Sequence, residues 1–120
     1  GTGGLATANA GGDDVANQVL QLPNGKLFLA GHTNANAAGG RDFLLTRFHA
    51  DGALDTSFGT AGFLQTDFGS GQDYCTAVAL AGQDLILTAG YTWPPQDEPD
   101  FALARYIAST PVELLAFGVE

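Results

Sequence analysis

The chain has 120 residues, 45% hydrophobic and 14% charged with 17 glycines, which is the composition of one turn-rich globular domain and not of a disordered segment. Its 13 acidic residues against 4 Lys and Arg give a formal charge of −9, a sign that repels phosphate backbones and excludes nucleic acid as an expected partner. The longest apolar runs have strand length, well short of the roughly 18 residues of a spanning helix, so no membrane span is expected.

In chain order the sequence reads as two copies of one unit. The first copy opens on Gly1-Thr2-x-Gly4 and gives strands over 4–8, 14–22, 26–32 and 42–48, each in period-two patterning rich in Val, Leu and Phe between Gly, Asn, Asp and Pro. Pro23-Asn24-Gly25-Lys26 carries the Asn-Gly pair of a tight hairpin whose two central residues both take positive φ, and Ala50-Asp51-Gly52 supplies another turn. The second copy restarts at Gly59-Thr60-x-Gly62 and gives strands over 62–67, 73–81, 85–91 and 100–107. Thr7, Gly12, Asp14, Val19, Ala30, Gly31 and Thr33 match Thr66, Gly71, Asp73, Val78, Ala89, Gly90 and Thr92 at an offset of 59, and Asp42-Phe43-x-Leu45-x-Arg47 matches Asp100-Phe101-x-Leu103-x-Arg105 at 58. Pro111 to Phe117 alternates as a last strand. Cys75 lies in an apolar run with no nearby cation and reads as a small buried hydrophobe. The absence of an initiator Met or signal-like segment at Gly1 reads as a slice of something longer.

Leu27 and Leu29 point to one side of their strand and Phe28 and Ala30 to the other, so both faces of the sheet need cover from neighbouring sheets. The expected fold is all-β: two four-stranded antiparallel blades of β-propeller type, residues 1–58 and 59–108, with 109–120 as a C-terminal strand or linker to a following module. An eight-stranded β-sandwich of the two units is the alternative. Two blades do not close a ring, so the expected partners are further blades of a parent chain or homo-oligomer copies.

Several stretches together resemble the delta-60 repeat: Asp51-Gly52-Ala53-Leu54-Asp55-Thr56-Ser57-Phe58-Gly59-Thr60-Ala61-Gly62, Phe68-Gly69-Ser70-Gly71-Gln72-Asp73, the Val19 to Lys26 stretch leading to Ala30-Gly31, and both Asp-Phe-x-Leu-x-Arg strands. That resemblance implies a propeller-like unit of large secreted or surface-attached bacterial proteins, hence an extracellular or cell-surface location. The pattern departs at Ala8-Asn9-Ala10, where the second copy has Asp67-Phe68-Gly69, and after Ala108, where Ser109-Thr110-Pro111 replaces the Asp-Gly-x-Leu-Asp connection. The segment from Pro111 to Phe117 is similar to one that precedes a C-terminal module in secreted proteins of the Bacteroidota.

Enzyme templates are missing: there is no nucleophile elbow, phosphate loop or His-Glu-x-x-His, and His32 and His49 stand apart. No catalytic residues, cofactor or metal are expected; Asp97-Glu98-Pro99-Asp100 lacks the ligand spacing of a calcium loop. Arg47 follows Phe43 and Leu45 on one strand face, as Arg105 follows Phe101 and Leu103, so each guanidinium leaves an apolar row and needs a partner. The repeated Asp14 and Asp73 are the expected partners, in structural ion pairs within or between blades. Trp93-Pro94-Pro95-Gln96 has no counterpart in the first copy, and an aromatic beside a stiff Pro-Pro can stack on a sugar ring. A ligand site would therefore centre on Tyr91, Trp93, Asp97 and Asp100, with His32 and Asn34 or Asn36 as its weaker equivalent in the first copy. The function expected is a non-enzymatic extracellular scaffold, adhesion or assembly module; the alternatives are binding of a cell-surface glycan, or part of a larger secreted enzyme.

Overall fold

The computed structural model describes residues 2–36, 40–69, 71–82 and 84–108, together with the backbone of residues 114 and 115. The regular elements are strands: β1 (Asp14–Gln21), β2 (Leu27–Thr33), β3 (Asp42–Phe48), β4 (Phe63–Thr66), β5 (Gln72–Ala81), β6 (Leu85–Trp93), β7 (Asp100–Ile107) and the two-residue β8 (Leu114–Leu115). They form two antiparallel sheets, ordered β1-β2-β3-β4 and β5-β6-β7-β8.

The sheets are out of phase with the sequence repeat. The expected first strand over 4–8 is not a strand; that segment holds only a turn closed by a bridge between Thr2 and Leu5. Its counterpart β4 pairs backward with β3, Phe43 opposite Thr66 and Thr46 opposite Phe63, so the first sheet ends at Thr66 and not at residue 58. The described part of the C-terminal segment lies along the equivalent edge of β7, with Leu115 opposite Arg105 and Leu114 opposite Tyr106. It is therefore the fourth strand of the second sheet and not a ninth element; the rest of 109–120 lies outside the described residues.

Turn chemistry also corrects one expectation. At Pro23-Asn24-Gly25 only Gly25 has positive φ, 88°, while the Leu22 N–H donates to the Lys26 carbonyl, the Gly25 N–H donates to the Leu22 carbonyl and Asn24 Oδ1 accepts from the Lys26 N–H. The loop is a three-residue turn with glycine at its left-handed position, because an Asn side chain that caps its own turn removes the need for a second left-handed residue. Ala50-Asp51-Gly52 repeats the device, with Gly52 at 90° and Asp51 accepting from the Ala53 N–H.

Both sheets carry a β-bulge at the same repeat position, between Ala16 and Gln18 in β1 and between Cys75 and Ala77 in β5. Beside each bulge stands a glycine, Gly31 or Gly90, where a Cβ would collide with the carbonyl oxygen of Val15 or Tyr74. The repeated Ala-Gly of β2 and β6 is thus a bulge seat.

The sheets stack face to face. Phe28, Ala30, Phe43 and Leu45 of the first meet Cys75, Val78, Ile86, Ala102, Ala104 and Tyr106 of the second, and Phe58 dips into the seam from the β3–β4 connection. Phe28 meets Phe58 edge-on with ring centroids 5.2 Å apart, and Phe43 meets Phe68 likewise at 4.8 Å. Fully burying each such ring is worth roughly 1.5–3 kcal/mol, so the seam is the main source of cohesion between the sheets. Every residue of β3 is buried, since its other face is covered as well: Phe48 bridges Leu54, and the Thr46 hydroxyl donates to the Gly62 carbonyl at 2.7 Å.

Candidate functional site

Arg47 enters the seam from β3 and stays there. Its Nε donates to Asp55 Oδ2 at 2.8 Å, its Nη1 donates to the Ala108 carbonyl at 2.8 Å, and the guanidinium lies against the edge-on pair Phe28 and Phe58, 5.8 and 5.1 Å from their centroids. Asp55, equally buried, also accepts from Lys26 Nζ at 2.9 Å and from the Ser57 hydroxyl and N–H. Burial alone would raise its carboxyl, but the Ser57 hydroxyl, Lys26, Arg47 and the Ser57 N–H outweigh it and hold the group well below the usual carboxylate range. The arrangement ties the β3–β4 connection to both sheets.

The expected pairing of Arg47 with Asp14 and of Arg105 with Asp73 is not formed. Asp14 accepts from the Thr33 hydroxyl and from the Ala10 N–H at 2.7 Å; Asp73 accepts from the Thr92 hydroxyl at 2.6 Å and from the Phe68 N–H at 2.9 Å. These two aspartates are equivalent staples that fix the segment leading into β1 or β5 against the end of β2 or β6. They repeat because every sheet needs that staple, whereas Asp55, the partner Arg47 does use, sits in the connection that the second copy lacks. Arg105 is half-buried on β7, on the opposite side of the second sheet from Asp73.

The expected ligand residues fall into separate places. His32 meets Tyr74 edge-on at 4.9 Å and Tyr74 stacks on Tyr91 at 5.0 Å, with Arg41 5.9 Å above the Tyr74 ring. Burial, helped by Arg41, lowers the His32 pKa and keeps the ring neutral, and its Nδ1 is buried with no hydrogen-bond partner. Trp93 stands apart, half exposed at a shallow hollow of about 330 Å³ shared with Gly71, Gln72, Pro94, Pro95 and Gln96. Its indole N–H donates to the Asp97 carbonyl at 3.1 Å, and the side chains of Asp97 and Asp100 are exposed. Cys75 is buried in the seam, and burial pushes its thiol up.

Two features escape a reading by repeat and motif. Asp42, Asp67 and Asp73 bring carboxylate oxygens within 4.8 Å of one another. Asp42 is raised by burial first and by Asp67 and Asp73 in addition, against a hydrogen bond from Asn36 at 2.9 Å. The three acids come from β3, the connection after β4 and β5, so only the fold gathers them. The second feature is a groove of about 580 Å³ on the outer face of the first sheet, lined by Leu27, Leu29, Leu44, Phe48 and Phe63 and rimmed by residues 4–8.

No match is found among curated proteins or solved structures. Residues 22–58, which hold β2, β3 and the connection carrying Asp55 and Phe58, match the family described as a β-propeller domain of unknown function, DUF5122, and so read as a β-propeller-type repeat.

Proposed function

We propose that the chain is a non-enzymatic β-propeller module, acting as an extracellular scaffold, adhesion or assembly unit whose working surfaces are its sheet faces. One observation carries this reading. Phe43 and Leu45, each 2% exposed, are buried by the neighbouring sheet, while their repeat counterparts are open, Leu103 at 49% and Phe101 fully. A two-sheet sandwich would turn polar side chains outward, whereas a blade keeps the same apolar face for a neighbour on each side. The extracellular or surface setting, and the assignment to delta-60 repeats, rest on the sequence resemblance. The test is binding of the apolar dye anilinonaphthalene sulfonate, together with association state, for the wild type and for Phe101→Glu/Leu103→Glu. The wild type should bind dye or self-associate, and the variant should lose self-association and bind less dye, the groove of the first sheet remaining, with its far-ultraviolet circular dichroism intact. A wild type that does neither sinks the reading.

Glycan binding is the second reading, favoured by the half-exposed Trp93 beside Pro94 and Pro95. A glycan array that lights up with the wild type and goes dark with Trp93→Ala would establish it; no binding by either retires it.

A further inference from the structure

The seam between the two sheets has two different halves, and each half has a second edition on an outer face of the same chain, open at Phe101, Leu103 and Val19 and covered at Thr46 and Phe48. The first sheet's contribution, Phe28, Ala30, Phe43 and Leu45, recurs as Leu87, Ala89, Phe101 and Leu103 on the outer face of the second sheet. The second sheet's contribution, Val78, Ile86, Ala104 and Tyr106, recurs as Val19, Leu27, Thr46 and Phe48 on the outer face of the first, around the apolar groove. Val78 is 6% exposed and Val19 59%.

The N-terminal segment repeats this relation in its backbone. The bridge between Thr2 and Leu5 has its counterpart 58 residues on between Thr60 and Phe63, and the two residues inside each turn have matching positive φ: 63° and 81° at Gly3 and Gly4, 53° and 100° at Ala61 and Gly62. After the second turn the chain becomes β4 and completes the first sheet. After the first turn residues 5–8 have the same turn behind them and no sheet to join, and Leu5 is 76% exposed. Along β7, β8 pairs with Arg105 and Tyr106, and among the described residues nothing pairs on that edge with Phe101 to Ala104. That stretch is the counterpart of the one on β3 that receives β4.

We propose that a second copy of this chain docks head to tail, its groove-bearing sheet covering Phe101 and Leu103 as the second sheet covers Phe43 and Leu45 within the chain. The proposal rests on the sheet-stacking reading above and names the partner. Such a contact is heterologous, one face meeting a different one, so it extends or closes into a ring. It is also the weaker of the two seams. Within the chain Asn17 Nδ2 donates to the Cys75 carbonyl at 2.7 Å and the Val78 N–H donates to Gln18 Oε1 at 2.6 Å, and the counterparts of Asn17 and Gln18 are Thr76 and Ala77, which are too short for either bond. Assembly should dissociate on dilution before the sheets unfold.

The experiment is light scattering over a concentration series with two single variants at exposed sites, Phe101→Glu and Val19→Glu. The wild type should exceed the 12.3 kDa monomer. Each variant alone should be monomeric, and an equimolar mixture should form a dimer that grows no further, since each supplies the face that the other has lost. A mixture that stays monomeric overturns the head-to-tail geometry. A wild type that stays monomeric yet binds the apolar dye overturns the second copy as partner while leaving the stacking reading standing.

Discussion

Asp55 carries more of this structure than any repeated residue does. Replacing it by Ala leaves the Arg47 guanidinium buried without its carboxylate, a loss of about 3–5 kcal/mol that urea denaturation will read directly. Its depressed carboxyl also sets a pH dependence. The unfolded chain takes up that proton near the ordinary carboxylate pKa and the folded chain only well below it, so the Asp55 contribution is complete above about pH 4 and falls away as pH drops further. Asp42 has the opposite sign: raised in the folded state, it weakens the fold once ionised. Asp42→Asn should therefore raise the stability read by urea denaturation at pH 7, by about 1 kcal/mol for relief of a buried charge and of its like-charged neighbours, and the gain should shrink as pH falls into the carboxylate range. The alternation of Phe43, Leu45 and Arg47 set the guanidinium on an apolar row from sequence alone, and the structure buries it there. Its partner was not legible, because comparing the copies selects residues that repeat, and Asp55 belongs to a connection present once.

At the scale of elements, β3 and β7 coincide with the stretches that alternation marks out, since their hydrophobic pattern is dense and both neighbours are in place. Residues 4–8 have a similar local pattern and form no strand: a strand needs an edge to bond to, and that edge is not encoded in its own residues. The pairing of β4 with the preceding sheet was hidden for the same reason, because self-similarity fixes the length of a period and not where along it one sheet ends. The bulge, by contrast, has a local signature in the Ala-Gly of β2 and β6. Gly90→Ala forces a methyl into the Tyr74 carbonyl and should cost about 1–3 kcal/mol in thermal or urea unfolding, as should Gly31→Ala against Val15. Ala89→Gly, one residue away, adds no atom and should cost about 1 kcal/mol or less.

For the molecule as a whole, apolar faces and a net charge of −9 act against each other. Copies that stack by Phe101, Leu103 and Val19 must also bring like-charged rims together, so association should strengthen as salt screens the rims: sedimentation velocity should show a larger assembled fraction at about 0.15 M salt, where charges are screened beyond roughly 8 Å, than at about 0.01 M. A salt response of the opposite sign would mean that ion pairs and not apolar faces hold the assembly. Composition and patterning made the all-β class and the two-unit plan legible, and the grouping of Tyr91 with His32 through Tyr74 became visible only once the sheets had packed.

The offset between repeat and sheet has a consequence for how the chain is made. The first sheet gains its outer strand only when Thr66 has left the ribosome, several residues into the second unit. A nascent chain paused after residue 58 thus holds β3 with an unbonded edge, and the start of each new unit finishes the one before it. Synthesis and folding then advance like a row of stitches, each loop locked by the next, and on the second sheet Leu114 and Leu115 lie along the edge that takes such a lock.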